Sequence, residues 1–355
     1  MLEDRKMCNK KLSLPICFIV PPHIHEHIAR NGNEKQKELA FRALTKSAYF
    51  RGQRELLTTF AALGATPTGT KRRTIYDAKN GLALPGTLIR GEGGAKNKDG
   101  AVNEAYDGSG ATYDFYQSVF QRNSIDDRGM RLDSTVHYRQ GFNNAFWNGQ
   151  QMVYGDGDGV IFQHFTRSID VIGHELTHGV TQFEAGLVYQ DQPGALNEHF
   201  SDVFGSLLKQ YTKKQTAKKA DWLIGEGVLG PGIKGIALRS MKDPGTAYND
   251  PVLGRDPQPA HMKNFVKTVA DSGGVHINSG IPNKAFYEFA KSLGGNAWEK
   301  PGQIWYRTLV DKIQPQSQFQ DCAGFTFEVA GTLYGQNGTE QKAVRDAWAK
   351  VGIKV

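Results

Sequence analysis

Cysteine is scarce in this chain. Cys8, Cys17 and Cys322 are the only three in 355 residues, too few and too scattered to frame a disulfide-stapled fold, and none has the spacing of a cysteine zinc site. Long apolar runs are also missing: nothing approaches the roughly 20 residues that cross a bilayer, so no membrane span is expected. Near the start, Lys10 and Lys11 precede LSLPICFIV. That run is short, broken by Pro15, and leads into Pro21-Pro22 and a histidine-rich charged segment with no small-residue cleavage site. It reads as a folded or docking segment rather than a secretory signal, so the protein is expected to be made in the cytoplasm, and any export would follow a non-classical route. A strong excess of one charge is lacking too. Lys and Arg number 43 against 36 Asp and Glu, a net +7, and much of the surplus sits in KQYTKKQTAKKADW, residues 209–222. No aromatic stacking platform accompanies it, so it reads as a solvated basic helix or loop and no nucleic-acid partner is expected.

What remains is a composition of ordinary globular type, long enough for about two domains and an extra segment. Residues 1–66 are charged, poor in glycine and helical in pattern: NEKQKELAFRALTKSAYFRGQRELLTTF spaces Leu39, Ala43 and Phe50 as an amphipathic helix. LGATPTGTKRR, residues 63–73, reads as an exposed connector open to proteolytic nicking. From Arg73 to about Gly159 short strand patterns with Gly and Asn turns dominate, interrupted by one helix at YDFYQSVFQ, and from about Phe162 onward the pattern is helical. A β-rich part followed by an α-rich part predicts an α+β protein of two lobes with a cleft between them, divided as 1–66, 67–167 and 168–355.

The helical part opens with VIGHELTHGVTQ, residues 171–182. On a helix His174 and His178 sit one above the other and can reach a single ion, with Glu175 beside it: the arrangement of a zinc hydrolase whose base activates water. A catalytic zinc needs a third protein ligand and an open position. ALNEHFSD supplies Glu198 and Asp202, four apart and flanked by Leu196, Phe200, Val203 and Phe204. Glu198 can bind the metal while Asp202 accepts the second ring N–H of a ligand histidine. Taken alone, the two acids read better as a solvated pair on a helix; beside a His-Glu-x-x-His helix, and with apolar flanks, the metal reading is preferred. DSGGVHINSG offers His276 after a Gly-Gly turn, with Asp271 to orient it, as a donor to a developing oxyanion, although a lone histidine in such a place is often only a packing residue. HIHEHI, residues 23–28, alternates its histidines, which splays them to different helix faces and argues against a second metal site. Cys17 could ligate the zinc, but a buried apolar cysteine between Ile16 and Phe18 is the preferred reading.

HELTHGVTQFEAGLVYQ, ALNEHFSDVFG, NNAFWNGQQMVYGDGDG, ALRSMKDP and DSGGVHINSG are similar, in order and spacing, to segments of the thermolysin-like zinc metallopeptidases, over roughly residues 74–355. The leading segment with PPHIHEHIARNG resembles the compact propeptide of the protealysin-like branch, a bacterial group. The resemblance implies a zinc-dependent endopeptidase made as a zymogen and acting on protein or peptide substrates. It makes His174, His178 and Glu198 the ligands and Glu175 the base, with Asp202 and Asn197 supporting the two histidines. Tyr189 and His276 would stabilise the oxyanion, with Asp271 behind His276. Arg239, Asn144 and Ala145 would hold substrate backbone, and Phe162, Phe165, Val171 and Leu238 would line an apolar pocket favouring cleavage before bulky hydrophobic residues. Its propeptide would cover the cleft and be cut away between about residues 60 and 73.

The departures matter as well. Asp170, Asp221 and Glu226 suit the family's paired calcium site, but Lys209, Leu223, Gly227 and Ile236 stand where further acids are expected. The Lys209 ammonium is therefore expected to substitute for calcium charge, leaving calcium dependence weak. A monomer is expected. The rival readings are a non-catalytic binding protein of the same fold, which would not need Glu175, His276, Tyr189 and Arg239 together, and a basic protein with a closed structural zinc.

Overall fold

The computed structural model describes residues 17–57 and 70–355, the side chains of 46–57 excepted. Cys8, the Lys10-Lys11 pair, most of the connector expected at 63–73 and most of the stretch expected to carry the maturation cut lie outside the described residues.

Two helices lead, α1 (Pro22–Asn31) and α2 (Glu34–Leu57). Pro22 stands at the first helical position, where its fixed φ suits the helix and its missing N–H removes no bond. Ile24 and Ile28, four apart, are fully buried and join the main core together with Ile19, Val20 and Ala40. Each such aliphatic side chain removed from water contributes about 1.5–3 kcal/mol. The leading segment is thus packed into the same core as the rest of the molecule.

The sheet comprises β1 (Arg73–Asp77), β2 (Thr87–Arg90), β3 (Leu132–Val136), β4 (Ala145–Trp147) and β5 (Met152–Tyr154), in the order β2-β1-β3-β5-β4. The β1–β3 and β3–β5 pairs are parallel and the outer two antiparallel, with Ile75 beside Ser134 and Phe146 beside Val153. Edge strand β4 is not bare: Phe18 bridges Phe146 in antiparallel sense and Ile19 N–H donates to Ala145 O at 3.2 Å.

Between β2 and β3 runs α3 (Gly100–Phe120), capped by the Asp99 carboxylate on Ala101 N–H. The expectation of a helix only at YDFYQSVFQ is corrected here, because the glycines of GAVNEAYDGSGA serve close approach rather than a turn. A Cβ on Gly108 would lie 2.3 Å from Ile172, and one on Gly110 2.3 Å from Arg73. The remaining helices are α4 (Ile169–Glu184), α5 (Asp191–Lys213), α6 (Asp271–Asn278), α7 (Gly280–Leu293), α8 (Lys300–Asp311), α9 (Phe319–Tyr334) and α10 (Thr339–Lys350), with the short pair β6 (Leu223–Ile224) and β7 (Arg239–Ser240) after α5. A sheet-bearing lobe followed by a helical lobe, with a helical segment ahead of both, is the predicted two-lobed α+β architecture. No helix among the described residues is long and apolar enough to cross a membrane.

Candidate active site and metal centre

Helix α4 carries His174, Glu175 and His178, and α5 carries Asn197, Glu198, Ser201 and Asp202. The two helices approach unusually closely at Gly205, where a Cβ would meet Asp170 O at 2.5 Å and His174 N at 3.1 Å. That contact brings the α5 carboxylates to the histidines. His174 Nδ1 lies 2.8 Å from Asp202 Oδ1; His178 Nδ1 lies 2.8 Å from Asn197 Oδ1 and 3.0 Å from Ser201 Oγ. Both rings therefore turn Nε2 inward, 3.0 Å from each other and each 3.5 Å from a Glu198 oxygen.

Ligand atoms about 2 Å from one tetrahedral ion stand roughly 3.3 Å apart. The observed separations are of that order: 3.0 Å between the two rings, and 3.5 Å from His174 to Glu198 Oε2 and from His178 to Glu198 Oε1, so that Glu198 presents one oxygen to each histidine. The charge fits as well. Two inward ring nitrogens cannot face each other as bare lone pairs; they require a proton or a metal ion between them. Burial lowers the affinity of His174 for a proton, but Asp202 and Glu198 outweigh it and raise its pKa to about 9. Burial likewise pushes Glu198 up, yet His276, His178 and His174 hold it well below the usual carboxylate range. Glu198 Oε2 is buried without a hydrogen-bond partner. Every sign is of a site shaped for positive charge, and the residues present fit a zinc ion.

Asp202 is more constrained than its sequence position suggests. Arg239 Nη2 and Nε donate to its two oxygens at 2.9 and 3.0 Å, and Asn283 Nδ2 donates at 2.9 Å. Burial raises its pKa, but Arg239 and His174 outweigh that and hold it low. Asn283 is itself held by His199 Nδ1 at 2.8 Å, and His199 Nε2 accepts from Trp305 Nε1 at 2.8 Å. Asn283, His199 and Trp305 went unnoticed in the sequence; only the NKAF and NEHF contexts of the first two could have drawn attention.

Glu175 is fully buried. Its Oε2 accepts Trp147 N–H at 3.0 Å, and its Oε1 has no hydrogen-bond partner. Burial, with Glu198 nearby, pushes its pKa up to about 8. His276 follows a turn in which Asp271, Ser272, Gly273 and Gly274 all have left-handed φ. Its Nδ1 meets Asp271 Oδ1 at 2.7 Å and its Nε2 faces Tyr189 OH at 3.2 Å. Tyr189 OH in turn donates to Glu198 Oε1. Burial lowers the His276 pKa, and Asp271 and Glu198 more than restore it. Phe162, Phe165, Val171 and Leu238 are all buried, with the ring of His25 beside Phe162 at 6.3 Å between centroids.

Residues 17–20 lie along this site, with Phe18 in an isolated bridge to Phe146 and a bend at Ile19 and Val20. Ile19 N–H reaches Ala145 O, Arg239 Nη1 donates to Ile19 O at 3.0 Å, and His276 Nε2 stands 3.1 Å from Phe18 O. Val20 N–H donates to Asn144 Oδ1 at 2.9 Å while Asn144 Nδ2 donates to Val20 O at 3.2 Å. Every group expected to grip substrate backbone is thus engaged by the chain's own leading segment. The three histidines of HIHEHI go separate ways as expected, His23 to Tyr248, His25 to Asn144 and His27 to Asn31. Cys17 is buried in an apolar cluster with Tyr189 and Val275, as expected, and its sulfur also lies within 4.8 Å of ligand atoms of His178 and Glu198.

One turn before His174, Asp170 meets a different cation. Lys209 Nζ lies 2.9 Å from Asp170 Oδ2, 2.7 Å from Asp221 Oδ1 and 2.6 Å from Leu223 O, and only 3 % of Lys209 is exposed. Burial lowers its pKa, but the two carboxylates outweigh that and raise it. The basic stretch that begins at Lys209 is therefore not uniformly solvated. Glu226 stands apart from this cluster, 3.8 Å from Lys213.

Residues 43–182 match the thermolysin metallopeptidase catalytic domain, and residues 185–353 match the thermolysin metallopeptidase alpha-helical domain. The chain is 50% identical over 351 residues to an extracellular metalloprotease of Pectobacterium carotovorum subsp. carotovorum, covering 97% of this chain and 98% of that protein. It is 43% identical over 288 residues to thermolysin of Alicyclobacillus acidocaldarius subsp. acidocaldarius, covering 78% of this chain and 50% of that one. Among solved structures it is similar to the precursor of protealysin, a metalloproteinase from Serratia proteamaculans, with a TM-score of 0.87 and 50% identity over 95% of this chain and 99% of that one.

Proposed function

Because this chain belongs to the thermolysin metallopeptidase family, and is a zinc-dependent neutral endopeptidase made with a propeptide, we propose a role for each side chain of the site in hydrolysing peptide bonds. The observation that carries the assignment is the pair of inward ring nitrogens 3.0 Å apart, each 3.5 Å from one Glu198 oxygen, with the rings held by Asp202 and Asn197. These three residues hold the zinc, with Asp202 and Asn197 fixing the ring orientation of the histidines. When bound, zinc supplies the Lewis acidity that acidifies water and polarises a carbonyl.

Glu175 takes the proton of the attacking water. Trp147 N–H secures Oε2 and leaves Oε1 as the basic atom, and the same carboxyl then returns the proton to the leaving nitrogen. His276 and Tyr189 donate to the oxygen on which negative charge develops, and Asp271 keeps the His276 Nδ1 proton in place so that Nε2 faces the reaction. Arg239 grips the carbonyl after the scissile bond, and Asn144 and Ala145 pair with the backbone on either side. Phe162, Phe165, Val171 and Leu238 make the pocket beyond that bond apolar, which favours cleavage before a bulky hydrophobic residue. Residues 1–66 form the propeptide, which inhibits by filling these backbone positions, with 67–167 and 168–355 as the two catalytic lobes.

Lys209 stands in for calcium. Its ammonium supplies one positive charge, ion pairs to Asp170 and Asp221 and a hydrogen bond to Leu223 O, which removes the need for an ion there. The protein acts outside the cell as a monomer. To test the catalytic assignment, zinc content and cleavage of a peptide with a single internal Phe or Leu are measured for wild type and Glu175→Gln after the segment is removed. One zinc per chain in both, with cleavage before the hydrophobic residue in wild type only, is expected. Equal cleavage by Glu175→Gln would refute the base, and no cleavage by zinc-loaded, trimmed wild type would favour a binding protein of the same fold.

A further inference from the structure

Cys17 is 3 % exposed and packs with Tyr189 and Val275. It forms no disulfide. Its Sγ lies within 4.8 Å of ligand atoms of both His178 and Glu198, and Glu198, wholly buried, keeps its Oε2 without a hydrogen-bond partner. A sulfur at about 2.3 Å and a nitrogen or oxygen at about 2.0 Å from one tetrahedral ion stand roughly 3.5 Å apart. The thiol therefore needs to move by little more than an ångström to share an ion with them.

The neighbouring backbone sharpens the point. Phe18 O faces His276 Nε2, Ile19 N–H reaches Ala145 O and Ile19 O accepts from Arg239, so the Phe18–Ile19 bond runs across the site in the register expected of a substrate. A bond held this way beside Glu175 is exposed to hydrolysis unless the water is kept out. His174, His178 and Glu198 supply three of four tetrahedral positions, and the fourth is where water would enter.

We propose that the Cys17 thiolate takes that fourth position in the full-length chain, so that the leading segment binds as a substrate-like strand protected from cleavage by its own sulfur. The step is a ligand exchange without redox change. The zinc–sulfur bond forms as the thiol releases its proton to solvent, and when the segment leaves, water replaces the sulfur and the thiol takes a proton back. This inference rests on the zinc site described above.

The test uses the full-length chain carrying Glu175→Gln, which keeps all three ligands and does not trim itself. Zinc is exchanged for cobalt(II), cobalt content is measured, and the absorption spectrum is compared with that of the same chain also carrying Cys17→Ala, or Cys17→Ser should the alanine chain misfold by circular dichroism. One cobalt per chain is expected in both, with a near-ultraviolet sulfur-to-cobalt charge-transfer band in the parent that is lost with the Cys17 substitution. One cobalt per chain without the band, or a band that survives loss of Cys17, overturns the proposal and leaves the zinc site standing. No bound cobalt in either protein overturns both.

Discussion

Two carboxylate clusters sit one helical turn apart on α4 and answer their need for positive charge in opposite ways. At Asp170 the charge is supplied by a side chain: Lys209 reaches from α5, with Asp221 and Leu223 O completing the cage. At His174 no ammonium or guanidinium among the described residues enters the space between the inward ring nitrogens and Glu198, and Arg239, a nearby cation, is committed to Asp202 and Ile19 O. A structural site gains from a charge that never leaves. A catalytic site needs an ion with an open position for reactant, which no side-chain ammonium offers. Within one pair of helices, then, a lysine can meet the need for positive charge in one place and not in the other.

The sharpest break of this comparison is at the catalytic cluster. Replacing Glu175 by Gln removes the base and keeps the ligands, so trimmed enzyme should lose activity by about 10²–10⁴-fold while retaining one zinc by elemental analysis. Next comes the built-in charge. Lys209→Met leaves Asp170 buried and unpaired, and the chain should lose about 3–5 kcal/mol in denaturant unfolding with the zinc content of the folded fraction unchanged. An effect below 1 kcal/mol would show Lys209 to be dispensable.

A third cluster, closer to solvent, provides a graded case. His137 is held by Asp156 at 2.9 Å and by Asp99 at 2.7 Å, and the Asp156 hydrogen bond, with Asp99 and against burial, raises its pKa to about 9. A raised folded-state pKa stabilises fully below the unfolded value of 6.5 and ceases to do so as pH climbs through 9. Wild type should therefore lose about 1 kcal/mol, discounted for partial exposure, between pH 6.5 and 9, measured as the difference in urea midpoint from His137→Gln. The smallest expected effect is nil: millimolar calcium should leave the unfolding temperature of wild type unchanged, whereas chelation of zinc should abolish activity. A calcium-dependent rise of several degrees would mean that Lys209 does not replace the ion.

Much of the catalytic cluster was legible in the sequence because helical periodicity is local. Four-residue spacing placed His174 over His178 and Glu198 beside Asp202, and Lys209 stood out only against the acidic site that the family resemblance implies. What remained hidden depends on contacts far apart in the chain. Nothing near Asp202 announces that Arg239 and Asn283 converge on it, and the extra length of α3 was concealed by glycines whose purpose appears only once Ile172 and Arg73 lie against them. For Cys17 the sequence left zinc ligation open but could not show its place beside the site. Its neighbours in sequence are apolar, and only the strand pairing of Phe18 with Phe146 carries it 161 positions along the chain to His178.

The central claim is that one set of side chains both performs hydrolysis and is held idle by residues 17–20. Following freshly purified wild type by intact mass and by peptide cleavage in the same time course, beside Glu175→Gln, tests it most directly. Activity should rise by on the order of 100-fold or more, as for a tethered competitor released from the cleft, in step with loss of the leading segment, while Glu175→Gln stays whole and silent. Full activity while the wild-type chain still has its complete mass would contradict the claim.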